Sequence, residues 1–154
     1  MPSSVTVARK LVELAAARNQ SLSPLQVMSL AYICQGWMLA LYDRPLFTDP
    51  ISIEKFGPSI PKLLEAFQFG KDGRILFVPI GTHGVTLEAL EEDLVAQVFE
   101  NYGKFDEAEL CALTARSGTP WHHAMRQQAR VSEMPLEWIR SYYVTVARQT
   151  FAAA

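Results

Sequence analysis

The sequence predicts a mainly α-helical α+β domain. A compact helical body surrounds a central apolar helix at about 24–42, with a small two-stranded β element at about 51–56 and 74–80. Three observations carry this. The stretch from Leu25 to Leu41 is apolar nearly all round, so it must be covered on most sides. Most of the remaining chain repeats apolar residues at helical spacing, with cap signals at the joints. Two short runs, "ISIEKF" and "RILFVPI", are β-branched and bounded by turn residues, as strands are.

The elements follow in order. Val5, Ala8, Leu11, Val12 and Ala15 give helical spacing from about Ser4 to Arg18, and "NQSLSP" breaks it. Ser23 is the N-cap of the central helix, Pro24 its first residue and Gln26 the returning side chain of a capping box. The turn-rich "DRPLFTDP" (43–50) leads into the first strand, which Gly57-Pro58 ends. A helix starting near Ile60 or Pro61 turns Ile60, Leu63, Leu64 and Phe67 to one side and stops at Gly70. The turn "KDG" leads into the second strand, which pairs most simply with the first, and 81–86 form a loop. Leu87, Leu90, Leu94, Val95 and Val98 mark another helix, closed by Gly103. Asp106 and Glu109 form a second capping box over a short helix with Leu110 and Leu113 inward, which ends at Gly118. Thr119 and Pro120 open the next. The last runs from about Leu136 to Phe151, with Ile139, Tyr143, Val146 and Ala147 on one face.

The chain has 154 residues, enough for one domain over 1–154 with a core that needs no staples. Its formal charge of −2 argues against a general nucleic-acid binder. Arg116, Arg126, Arg130, Arg140 and Arg148 give the last third a basic bias, and scattered helical arginines are more often ion-pair and solubility residues. Cys34 and Cys111 form no CxxC pattern and fit free, packed thiols of a reducing compartment. The first residues lack a signal-peptide apolar run, and no stretch holds the ~18 uninterrupted apolar residues of a membrane span. A cytoplasmic location is expected.

The segment "GTPWHHAM" (118–125), with two adjacent histidines, invites an enzymatic reading. Neighbouring helical side chains diverge by about 100°, so His122 and His123 do not share one metal. Position 126 is arginine, not the second ligand of an i, i+4 pair, and His83 has no acidic residue near it in sequence. There is no GxSxG, P-loop or dinucleotide-binding glycine motif. Glu88, Glu91, Glu92 and Asp93 read as the solvated face of a helix. No catalytic residue, metal site or cofactor is expected.

Several segments resemble the Panacea domain, the SocA-like family of bacterial and phage antitoxins. They are "LSPLQVMSLAYICQGWMLALYDRPLF", "ISIEKFGPSIPKLLEAF", "VFENYGKFDEAELCALTARSGTPWHHA" and "PLEWIRSYY", in the family's order from about 22 to 143. The specific part is the series Gln35-Gly36-Trp37, Pro45-Leu46-Phe47, Phe56-Gly57-Pro58, Tyr102-Gly103 and Pro120-Trp121. In that pattern Pro120-Trp121 recurs and the two following places vary, so the histidines belong to a helix start. Three places depart: Ser29 stands for the family's lysine, Glu54 for a tryptophan, and Arg116 falls at or near its histidine. If those places line the family's partner surface, a different partner is implied.

The resemblance implies a non-enzymatic protein that binds and neutralises a cognate protein toxin by direct complex formation, with delivery to a Clp-family protease as a second mode. A phage-derived protein aimed at a host defence or host factor shares the same binding logic. A DNA-binding autorepressor and a His/Cys hydrolase using Cys111 are the remaining readings, and self-association is open. Partner contacts are assigned to Arg44, Lys55 and Phe56, on a loop and edge strand that offers backbone to varied partners. Trp37, Phe56 and Trp121 are also family positions where large aromatics serve the core first. The hydrolase reading has a direct check. Elemental analysis of the purified protein is expected to find no stoichiometric metal; a full equivalent of zinc lost in His122→Ala would restore that reading.

Overall fold

In the computed structural model the residues described are 1–69, 75–77, 86–127 and 131–152. Seven helices occur among them: α1 (Ser4–Ala16), α2 (Pro24–Tyr42), α3 (Pro61–Ala66), α4 (Ala89–Tyr102), α5 (Glu107–Ala115), α6 (Pro120–Met125) and α7 (Leu136–Ala152). Four short strands accompany them: β1 (Ser52–Glu54), β2 (Gly57–Ser59), β3 (Gln68–Phe69) and β4 (Ile75–Phe77). The mainly helical α+β class is therefore the one observed.

Helix α2 is the centre. Its start is fixed by the capping box: the Ser23 hydroxyl accepts the Gln26 N–H at 3.2 Å, and Gln26 Oε1 accepts the Ser23 N–H at 2.8 Å. Its end is fixed by Asp43, in the left-handed conformation at φ 55°, whose carboxylate accepts from Arg140 Nε at 2.7 Å. Between these caps α2 packs against α1, α4, α5 and α7. By length and composition alone α2 could cross a membrane, and 67% of that stretch is buried inside the fold.

Two residues in the middle of α2 set what lies against it. Gln35 is fully buried; its Oε1 accepts the N–H groups of Leu46 (2.7 Å) and Phe47 (3.3 Å), and its Nε2 donates to the Phe47 carbonyl at 2.7 Å. The glutamine thus supplies the pairing an adjacent strand would give, and folds the segment after α2 back onto the helix. Pro45 precedes the clamped pair, and the Phe47 side chain goes fully into the core. Gly36 lies under α7: an added Cβ would clash with the Tyr143 ring. Trp37 packs on the same tyrosine with ring centroids 5.9 Å apart, and its Nε1–H donates to the Tyr102 hydroxyl at 3.1 Å.

The strands correct one expectation. The run at 51–56 does not pair with the run at 74–80. Each joins its nearest neighbour instead, β1 with β2 and β3 with β4, both antiparallel. Gly57-Pro58 does not simply end a strand but forms the return strand of a hairpin whose turn is Lys55-Phe56. A two-residue connection has far less loop to close than one spanning a helix, so the local pairing wins. Gly70, the "KDG" turn, Arg74, positions 78–85 with His83, and Arg130 lie outside the described residues.

A second correction concerns the acidic run. Glu91 is not on a solvated face: only 2% of it is exposed. Its Oε1 accepts the Glu88 N–H at 2.8 Å, closing a capping box, and its Oε2 lies 3.5 Å from Arg44. Leu90, read as part of the apolar stripe, is turned outward in exchange. Glu92 stays on the surface and pairs with Lys10 at 2.7 Å.

Two predictions follow from this packing. Gln35→Leu keeps the bulk but strands two buried N–H groups and a carbonyl, each worth about 1–3 kcal/mol. A loss of roughly 3–5 kcal/mol is expected in urea unfolding. The second concerns alkali. Burial pushes the pKa values of Cys34, Tyr32 and Tyr143 above the ordinary range, and raises that of Tyr102 as well. The folded chain therefore holds these protons more tightly than the unfolded one, so stability falls as pH rises. The expected urea midpoint is level from neutrality to about pH 8.5 and declines above it, where free thiols and then phenols ionise.

Candidate partner-binding face

The β1–β2 hairpin is held at its tip by two helices. Thr119 caps α6 by accepting the His122 N–H at 3.3 Å, Pro120 takes the first helical position, and Trp121 is thereby placed against the hairpin. Trp121 Nε1–H donates to the Glu54 carbonyl at 2.7 Å. From the other side the Cys111 thiol, on α5, donates to the Phe56 carbonyl at 3.2 Å. Gly57 follows the tip with φ +144°, a conformation closed to most L-residues. The "GTPWHHAM" stretch is thus architectural, and its tryptophan serves the hairpin.

Fixing the tip in this way projects Phe56 into solvent. It is 73% exposed and so does not serve the core as motif aromatics commonly do, and the Lys55 ammonium lies 5.4 Å from its ring centroid. Beside it lies a cavity of about 280 Å³ bounded by α2, the hairpin, α3 and α5. Leu25, Met28, Phe56, Pro58, Leu64 and Thr114 give it an apolar lining. Leu25 and Leu64 are 41% and 47% exposed, so three large apolar side chains stand around one hollow. Isolated exposed apolar residues are ordinary, whereas three around one cavity mark a surface suited to binding. Ser29 and Glu54, two of the three departures from the family pattern, line the same cavity.

The other assigned contacts fall differently. Arg44 is not brought to Lys55 and Phe56. It follows the far end of α2, about 20 Å along the axis from Met28 at 1.5 Å per residue, and faces Glu91 and Glu88 on α4. The backbone edge of the hairpin is also less open than the sequence suggested. On the far side of β1, Ile53 N–H donates to Ser132 O at 3.4 Å and Met134 N–H to Ile51 O at 2.7 Å. Ile53 is paired with Pro58 across the hairpin, so the proline places its missing N–H on the outer edge of β2. Added strands would find no donor there, and side chains carry this face instead.

No group of three or more His, Cys, Asp or Glu suited to a metal occurs among the described residues. His123 meets the Trp138 ring edge-on, with centroids 4.7 Å apart, and lies 3.2 Å from the Gln127 amide. Cys34 is fully buried and its thiol is held protonated by desolvation, the reverse of an activated nucleophile. Of the basic bias near the end of the chain, Arg140 is committed to Asp43 and Glu137.

Leu25, Leu64 and Cys111 belong to this face, and the sequence reading assigned none of them to partner contact. Leu64 carried a signal: Leu63 and Leu64 are adjacent on a short helix and cannot both point inward. Leu63 is fully buried and Leu64 faces the cavity.

A fixed apolar projection beside an apolar hollow is a surface suited to binding another molecule. The chain is similar to the Antitoxin SocA of Caulobacter vibrioides (strain NA1000 / CB15N), with 28% identity over 124 residues. The alignment takes in 75% of this chain and 66% of that protein, so the chain spans just under two thirds of its relative. No protein-family model matches the chain, and no solved structure matches it.

Proposed function

We propose that this protein is an antitoxin of the Panacea-domain type, which binds a cognate protein toxin in the cytoplasm and neutralises it by direct complex formation. The observation that carries the reading is the fixed, exposed Phe56 beside the apolar cavity. The tip is preorganised by the Trp121 and Cys111 hydrogen bonds, so a partner loses little freedom in the hairpin on docking. Large aromatics projecting from rigid supports dominate interface energies, and Lys55 adds charge selectivity at the rim. The similarity to an antitoxin supplies the class of partner. Ser29 and Glu54 line the cavity where the family pattern has lysine and tryptophan, in keeping with a toxin particular to this chain.

The test is co-expression with the product of the adjacent gene, induced alone and then together with this chain, with purification through a tag on one partner. Relief of toxicity with a copurifying pair is expected. Phe56→Asp should abolish both while leaving the fold stable, because surface changes away from buried features shift stability by only about 0.5 kcal/mol. Rescue accompanied by loss of the toxin from the cell, restored when Clp proteases are deleted, identifies delivery to a protease as the mode. A toxic neighbour that is neither bound nor relieved removes the proposal.

A further inference from the structure

We infer that the same face pairs two copies of this chain about a twofold axis, the Phe56 ring of each copy entering the apolar cavity of the other. An isologous interface requires one patch to carry both a projecting group and the hollow that receives it. Here the projection and the hollow are neighbours: Phe56 forms one wall of the cavity and is itself 73% exposed. At about 280 Å³ the cavity lies just below the range of small-molecule sites, roughly 300–1,000 Å³, and suits a single large side chain.

Charge favours the second copy as occupant. Glu54 and Lys55 stand side by side at the tip, and among the described residues neither has an ion-pair partner; the Glu54 carboxylate accepts the Ser52 hydroxyl at 2.8 Å, and the Lys55 ammonium lies over the neighbouring Phe56 ring. A twofold axis through the tip sets the Lys55 of one copy toward the Glu54 of the other, so the patch attracts itself. A patch of one sign would repel its own copy.

The contact is small. A buried aromatic side chain covers about 150–250 Å². Two phenylalanines with the flanks of Leu25 and Leu64 remain under the ~1,200 Å² of a stable complex. A contact of this size belongs with weak, reversible complexes. The dimer does not depend on the antitoxin reading, although a toxin docking on this face would have to displace the second copy.

Sedimentation velocity of the full chain, from about 1 to 100 μM to bracket an interface this small, reads the outcome. A concentration-dependent shift from monomer to dimer is expected. Phe56→Asp should be monomeric throughout, with unchanged circular dichroism and thermal midpoint. Glu54→Lys and Lys55→Glu should each weaken the dimer about tenfold or more, since each sets like charges together. The doubly exchanged chain should recover it, because both copies change together. That last variant also separates this inference from the antitoxin reading, since an unaltered toxin gains nothing from the exchange. A monomer at every concentration overturns the inference, as does a dimer that survives Phe56→Asp or a double exchange that fails to restore association.

Discussion

The three hydrogen bonds of Gln35 are the constraint on which the rest of this fold depends. A helix as apolar as α2 is driven into the core by its surface alone, but that drive has no direction: it does not say which neighbour covers which side. Gln35 breaks the symmetry. Buried polar groups are costly unless paired, and the backbone at Leu46 and Phe47 is the partner set that satisfies this one. The segment after α2 is therefore pinned at one height on the helix. From there Asp49 reaches α1 through the Ser4 N–H and hydroxyl, and the chain enters β1 at Ser52.

Gly36, the next residue, acts by absence. With no Cβ it lets the Tyr143 ring settle onto the α2 backbone, so α7 packs closely on a side about 100° round the helix from the one the glutamine has fixed. Trp37 then closes the cluster by packing on Tyr143 and donating to Tyr102 at the end of α4. Three consecutive residues thus join α2 to the loop, to α7 and to α4. Their grouping as one sequence motif has a physical reason, since a change at any of them leaves a polar group unpaired, a clash or a void.

The hairpin face is built in a similar way beside the first turns of α2. Pro120 and Trp121 form one device, a fixed helix start that aims an indole N–H at the hairpin, and Cys111 holds the other flank. What remains free is a phenylalanine ring, a lysine and an apolar hollow. Main-chain edges on both sides are spent or lack donors, through the Ser132–Met134 backbone and Pro58. Recognition on this face consequently falls to side chains, which can vary between homologous surfaces without disturbing the scaffold that carries them.

The sequence by itself determined the helices and several of their starts, although α3, expected to run to Gly70, ends at Ala66 and is followed by β3. Ser23-Pro24-Gln26, Asp106-Glu109 and Thr119-Pro120 cap helices where their chemistry requires, because capping is decided within four residues and needs nothing from the rest of the molecule. Burial of α2 was equally legible from its composition. The tertiary structure decided the rest. Strand pairing went to the nearest neighbour, Glu91 turned inward to meet Arg44, Leu64 turned outward into the cavity, and Phe56 was carried to a hairpin tip. Each of these depends on which distant segment lies alongside. An acidic or aromatic residue reads the same in a sequence whether its neighbour in space is water or a partner, so only the packed chain separates core from face.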